Sequence, residues 1–106
     1  MIKVRAQKNA DGIYNRVCLE GHAGYAEYGF DIVCSAVSVL VINTVNSIEQ
    51  FTEDGLVVEQ DEKTDKFEFY ITSEISYETE LFMKSLMLGL KGIEEEYGNE
   101  HITLFI

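Results

Sequence analysis

Proline is missing from all 106 residues, which excludes a proline-rich linker, and no low-complexity run or internal repeat marks a boundary. A chain of this length holds one core and reads as a single domain over residues 1–106. Basic residues are scarce: Lys plus Arg number 8 against 19 Asp plus Glu, a formal net charge of −11, and positions 17–62 carry none at all. That balance excludes a surface built to neutralise phosphates, so no direct nucleic-acid binding is expected and a basic partner suits the chain better. Cysteine is limited to Cys18 and Cys34, too few for a disulfide framework. The start shows no apolar leader with a small-residue cleavage site, so both thiols are expected reduced, in the cytoplasm. The most apolar run, residues 39–42, is closed off by Ser38 and Asn43, and no membrane span is expected. Cys18, His22, Cys34 and His101 include no C-x-x-C or H-x-x-x-H pair, so neither a metal nor any other cofactor is expected.

What is present divides cleanly into elements. Residues 3–7 alternate as a strand, Ala10, Asp11 and Gly12 form a turn, and residues 13–20 alternate again, which predicts a hairpin. Residues 32–51 run without glycine. Val37, Leu40, Val41, Thr44, Val45, Ile48 and Phe51 recur at three- and four-residue spacing, so a helix is predicted with Asp31 as its N-cap. Residues 56–60 and 66–72 predict a second hairpin with Phe67, Phe69 and Ile71 on one face. Ser76 caps a second helix over 77–97, with Leu81, Met83, Leu86, Met87, Leu90 and Ile93 as its stripe and Gly98 as its stop; Gly89 and Gly92 weaken its interior. A strand over 101–106 completes the order ββαββαβ, an α+β fold with a mostly antiparallel sheet and two helices packed on it.

Chemistry concentrates between the first hairpin and the first helix. Residues 21–31 hold Gly21, Gly24 and Gly29 with Tyr25, Tyr28 and Phe30 between them, a composition that predicts a mobile loop whose glycines are low-cost hinges for closing over a bound molecule. With Asp31 as the cap, Cys34 falls in the first helical turn, where unpaired N–H groups and the positive end of the dipole favour a thiolate. His22, across the loop, is placed to take the thiol's proton. The competing reading makes Cys34 a small core residue and His22 a surface residue. Cys18, within a strand, has no helix terminus to activate it and reads as structural.

The run GHAGYAEYGFDIVCSAVS, residues 21–38, resembles the signature of the ribosomal-processing cysteine proteases called Prp: Gly-His-Ala, then Gly-x-Asp-Ile-Val-Cys, then small residues and a Ser. Ser35 stands where the family often has Ala, and both are small. The resemblance implies a catalytic dyad of His22 and Cys34, support from Gly21, Asp31 and Ser38, and substrate contacts from Gly24, Tyr25, Tyr28, Gly29 and Phe30. It implies removal of a short N-terminal extension from the precursor of a basic large-subunit ribosomal protein, the twenty-seventh of its series, with cleavage after an apolar motif ending in Phe-Ala. It also implies a homodimer. Two readings from other classes stay open: a non-catalytic acidic module binding a ribosomal protein in assembly or regulation, and a redox sensor in which Cys18 resolves an oxidised Cys34.

Overall fold

The structure is a computed structural model that describes residues 1–21, 30–98 and 100–106, with the side chains of Phe30 and Asp31 outside the description. In chain order the elements are β1 (Ile2–Lys8), β2 (Tyr14–Glu20), α1 (Phe30–Phe51), β3 (Leu56–Asp61), β4 (Lys66–Ile71), α2 (Tyr77–Tyr97) and β5 (Ile102–Phe105). The strands form one sheet in the order β3-β4-β2-β1-β5. Three of its four neighbouring pairs are antiparallel, and β5 adds to β1 in parallel, with Ile2 opposite Ile102. This is the α+β order expected from the sequence.

Strand alternation decides which residues make the core. Val4, Val17, Leu19, Phe69 and Ile71 point toward the helices and join Val33, Val37, Val41, Val45 and Ile48 of α1 and Met83, Leu86, Met87 and Leu90 of α2 in one buried cluster. Where α1 meets α2, a Cβ on Gly89 would stand 2.8 Å from a Leu40 methyl carbon. The glycine that weakens α2 as an isolated helix is therefore what lets the two helices approach.

Two expectations about the helices change. The α1 helix begins at Phe30, so Asp31 is its second residue rather than its cap. An acid at that position still interacts favourably with the positive end of the dipole, which is why the two placements look alike in sequence. On α2 the buried stripe is Thr79, Met83, Leu86, Met87 and Leu90, and Leu81 lies half exposed, because two positions past Thr79 is about 200° around a helix. Residues 32–51 are long and apolar enough to cross a bilayer on length and hydropathy alone. One face of that helix, however, is sealed in the core of this domain.

The start of α2 is fixed by a polar cluster. Asp54, in the turn after α1, accepts hydrogen bonds from the Ser76 backbone N–H at 2.9 Å and the Ser76 hydroxyl at 2.8 Å, while Ser76 accepts from the Thr79 N–H at 3.2 Å. Burial pushes the Asp54 carboxyl up, but hydrogen bonds from Thr79 and from the backbone and hydroxyl of Ser76 outweigh it and hold the group below the usual aspartate range. A carboxylate depressed on folding stabilises the fold above its unfolded pKa, and that contribution is lost as pH falls through the folded value. Asp54→Ala is therefore expected to be less stable than the parent at neutral pH. The gap should close below about pH 4, as read by urea unfolding across a pH series. Ser76→Ala should cost about 1 kcal/mol as a lost N-cap.

Candidate active site

The site is built where β2 ends and α1 begins. Gly21 directly follows β2 with φ +82°, and a Cβ there would collide with the Met1 carbonyl oxygen. Only glycine meets both demands, so Gly21 is required by the backbone itself. Gly21→Ala is expected to cost at least about 1 kcal/mol, measured by urea unfolding.

Cys34 is the fifth residue of α1 and is half-buried. A helical side chain leans toward the N-terminus of its helix, so Cys34 is directed back toward the first turn, whose leading backbone N–H groups have no partner within the helix. Those groups and the dipole's positive end make the start of α1 electropositive. Ser38 follows at i+4 and Val41 and Ile42 at i+7 and i+8, so one stripe of α1 runs from Cys34 through Ser38 to Ile42.

That stripe faces the sheet across a recess of about 120 Å³ lined by Leu19, Ser38, Val41, Ile42, Gln60 and Phe67. The sheet side of it is a single row across three strands, since Leu19 pairs with Phe67 and Phe67 with Gln60. Gln60 also borders a second, open groove of about 660 Å³ around the end of the β3–β4 hairpin, where Glu59, Asp61, Glu62 and Glu68 outnumber Lys63 and Lys66. Glu68 is held by Arg16 at 2.6 Å, and the Arg16 guanidinium lies 4.2 Å from the Tyr70 ring centre. The groove's Glu59, Asp61 and Glu68 alternate with Gln60 and Phe67, so this acidic surface lies at the hairpin's end on the face of the sheet turned away from the recess.

Cys18 sits elsewhere. Val17 and Leu19 belong to the helix-side core, so alternation turns Cys18 to the opposite face of the sheet, where it is buried opposite Arg5 and Glu68. Burial first, and the Glu68 and Glu20 carboxylates with it, push its thiol up despite the opposing charge of Lys66. No disulfide joins it to Cys34, and with the sheet between them it is badly placed to resolve an oxidised Cys34. Among the described residues, no group of three His, Cys, Asp or Glu side chains is arranged to hold a metal ion.

Of the residues singled out from sequence, Gly21 directly follows β2, while Asp31, Cys34 and Ser38 belong to α1, with Cys34 and Ser38 about one turn apart. The side chains of Phe30 and Asp31 are not described, and His22, Gly24, Tyr25, Tyr28 and Gly29 lie outside the described residues, as does the expectation of a closing loop. Sequence reasoning missed Ile42, Gln60 and Phe67 as neighbours of the site. The only signal was the i+8 relation of Ile42 to Cys34; the other two depend on strand pairing.

The family model for cysteine protease Prp matches residues 1–103. A ribosomal processing cysteine protease Prp of Staphylococcus aureus is 34% identical over 104 residues, covering 98% of this chain and 97% of the relative. Two solved structures of the S. aureus ribosomal processing protease Prp are 33% identical to it. One, in complex with a substrate peptide, superposes with a TM-score of 0.89 over 98% of this chain and 97% of that one. The other, with a covalently linked product peptide, gives 0.86 over 99% and 98%.

Proposed function

This chain belongs to the cysteine protease Prp family, and on that footing we propose that it is a ribosomal-processing endopeptidase with His22 and Cys34 as its dyad. The single observation that carries the reading is the place of Cys34 near the start of α1, in a fold shared with a protease that holds a covalently linked product peptide. His22 takes the thiol proton, and the thiolate attacks the carbonyl carbon before the scissile bond. Backbone N–H groups at the start of α1 face the resulting oxyanion. His22 returns the proton to the leaving amine, and water then hydrolyses the thioester, releasing the acid and restoring the thiol. Gly21, Asp31 and Ser38 support this geometry, and the segment bearing Gly24, Tyr25, Tyr28, Gly29 and Phe30 covers the substrate.

The substrate in this reading is the precursor of the twenty-seventh large-subunit ribosomal protein, cut after an apolar motif ending in Phe-Ala. Support comes from the acidic residues of the β3–β4 hairpin, Glu59, Asp61, Glu62 and Glu68, which suit a basic partner. The enzyme acts in the cytoplasm as a homodimer, without a metal or cofactor and without contacting nucleic acid or membrane. Val39, Ile42 and Leu88, exposed on the two helices, are apolar surface of the kind a second copy covers. Incubation with the precursor followed by intact-mass measurement tests the reading. A single loss corresponding to the N-terminal extension is expected, and an unchanged mass with tight binding would favour the non-catalytic binding module instead.

A further inference from the structure

The sheet ends in two edges that are treated differently. At β5 the outward backbone N–H of Leu104 donates to the Glu94 carboxylate of α2 at 3.1 Å, so a side chain occupies that edge. At β3 the Thr72 N–H donates to the Gly55 carbonyl at 2.9 Å. Alternation along the antiparallel pair then turns the backbone groups of Val57, Glu59 and Asp61 toward β4 and those of Leu56, Val58 and Gln60 outward. No side chain among the described residues bonds to these outward groups, and β3 has a strand on one side only. Three consecutive outward positions, with Val58 42% exposed, make an edge that an extended chain can extend.

Side-chain alternation defines what fits. Glu59 and Asp61 are exposed on the face of the sheet away from the helices, and Val58 lies between them on the helix side. A strand laid along β3 sets its own side chains beside these, so lysines or arginines at every second position meet the carboxylates and an apolar residue meets Val58. A second copy fits poorly, because its β3 brings the same carboxylates to the same face. The edge also runs toward the site: Glu20, just before Gly21, pairs with Lys66, and Lys66 with Asp61. An added strand lies three strand spacings from β2, about 14 Å, which four or five extended residues span.

We infer that the outer edge of β3 is a docking edge, on which an extended segment of the substrate, basic at every second position, adds as a sixth strand. The protease reading above supplies the identity of that segment; the edge itself stands on the pairing pattern.

The test titrates the full chain carrying Cys34→Ala with the capped peptide Lys-Val-Lys-Val-Lys and follows amide hydrogen exchange by NMR. The Leu56, Val58 and Gln60 amides are expected to exchange at least about tenfold more slowly at saturation. N-methylation of the peptide's valines, which bond to the edge, should weaken binding about tenfold, while N-methylation of its lysines should not. Val58→Pro, at an edge position with its N–H outward, should abolish the protection. The pair Glu59→Lys and Asp61→Lys, which leaves the backbone intact, should transfer it to Glu-Val-Glu-Val-Glu. In the active enzyme, saturating Lys-Val-Lys-Val-Lys should lower kcat/KM for the precursor at least about tenfold and leave a substrate lacking the basic stretch unaffected. Unprotected amides, equal effects of the two N-methylations, or precursor cleavage untouched by the peptide overturns the inference. Protection that grows with protein concentration and without peptide also overturns it, since a second copy then holds the edge. Protection by the peptide with a precursor that the enzyme never cleaves upholds the docking edge and refutes the protease reading.

Discussion

Cys34→Ala is expected to fold normally and to lose cleavage by on the order of 10⁴-fold or more, and His22→Ala to lose a comparable amount, because members of a dyad act as a unit. Neither loss should add to the other in the double variant. Cys18→Ala is the contrasting case. Its side chain is buried on the far face of the sheet, away from α1, so its removal should cost on the order of 1 kcal/mol of stability and leave cleavage near the parent rate. Iodoacetamide near neutral pH should label Cys34 first, since burial and nearby carboxylates push the Cys18 thiol up and keep it protonated. Labelling of Cys34 should slow when His22 is removed. Cleavage lost in Cys18→Ala and retained in Cys34→Ala would reverse the assignment of the nucleophile.

Phe69→Ala should have the largest effect on the fold. Phe69 is fully buried in β4, between Val17 of β2 and Val58 of β3 in the sheet register and beneath the helices. Truncating a buried phenylalanine removes its transfer free energy and leaves a cavity, a cost of about 3 to 5 kcal/mol. That is a large part of the roughly 5 to 15 kcal/mol that holds a domain folded. Urea unfolding should show the midpoint falling sharply at unchanged slope. Phe105→Ala serves as the control: that ring is 45% exposed on β5 with Arg5 4.5 Å from its centre, and its loss should stay within about 1 kcal/mol.

Much of this architecture is written in local pattern. The alternation around Phe67, Phe69 and Ile71, the Ser76 cap and Gly98 stop of α2, and the Asp11-Gly12 turn each specify an element through its own backbone chemistry, and all recur in the structure. The N-terminus of α1 was less legible. An acid at the cap and an acid at the second helical position both suit the helix dipole, so Asp31 marked the neighbourhood of the start and not the start itself.

Reactive chemistry divides along the same line. Residue type and helical spacing suffice to single out Cys34 and to place Ser38 on its face, because both facts are local to one helix. That Gly21 must lack a side chain to clear the Met1 carbonyl depends on a neighbouring strand. That Cys18 lies across the sheet from Cys34 follows only once the sheet shows which side its helices cover. The recess is the clearest case. Leu19, Phe67 and Gln60 come from three strands separated in sequence, and only their pairing sets them in one row against Ile42. The sequence alone determined the elements, the acidic character and the candidate nucleophile, since these rest on short-range periodicity and composition. Tertiary structure decided which faces are buried and which distant residues share a pocket, because strand register and helix packing are long-range choices that no local pattern encodes.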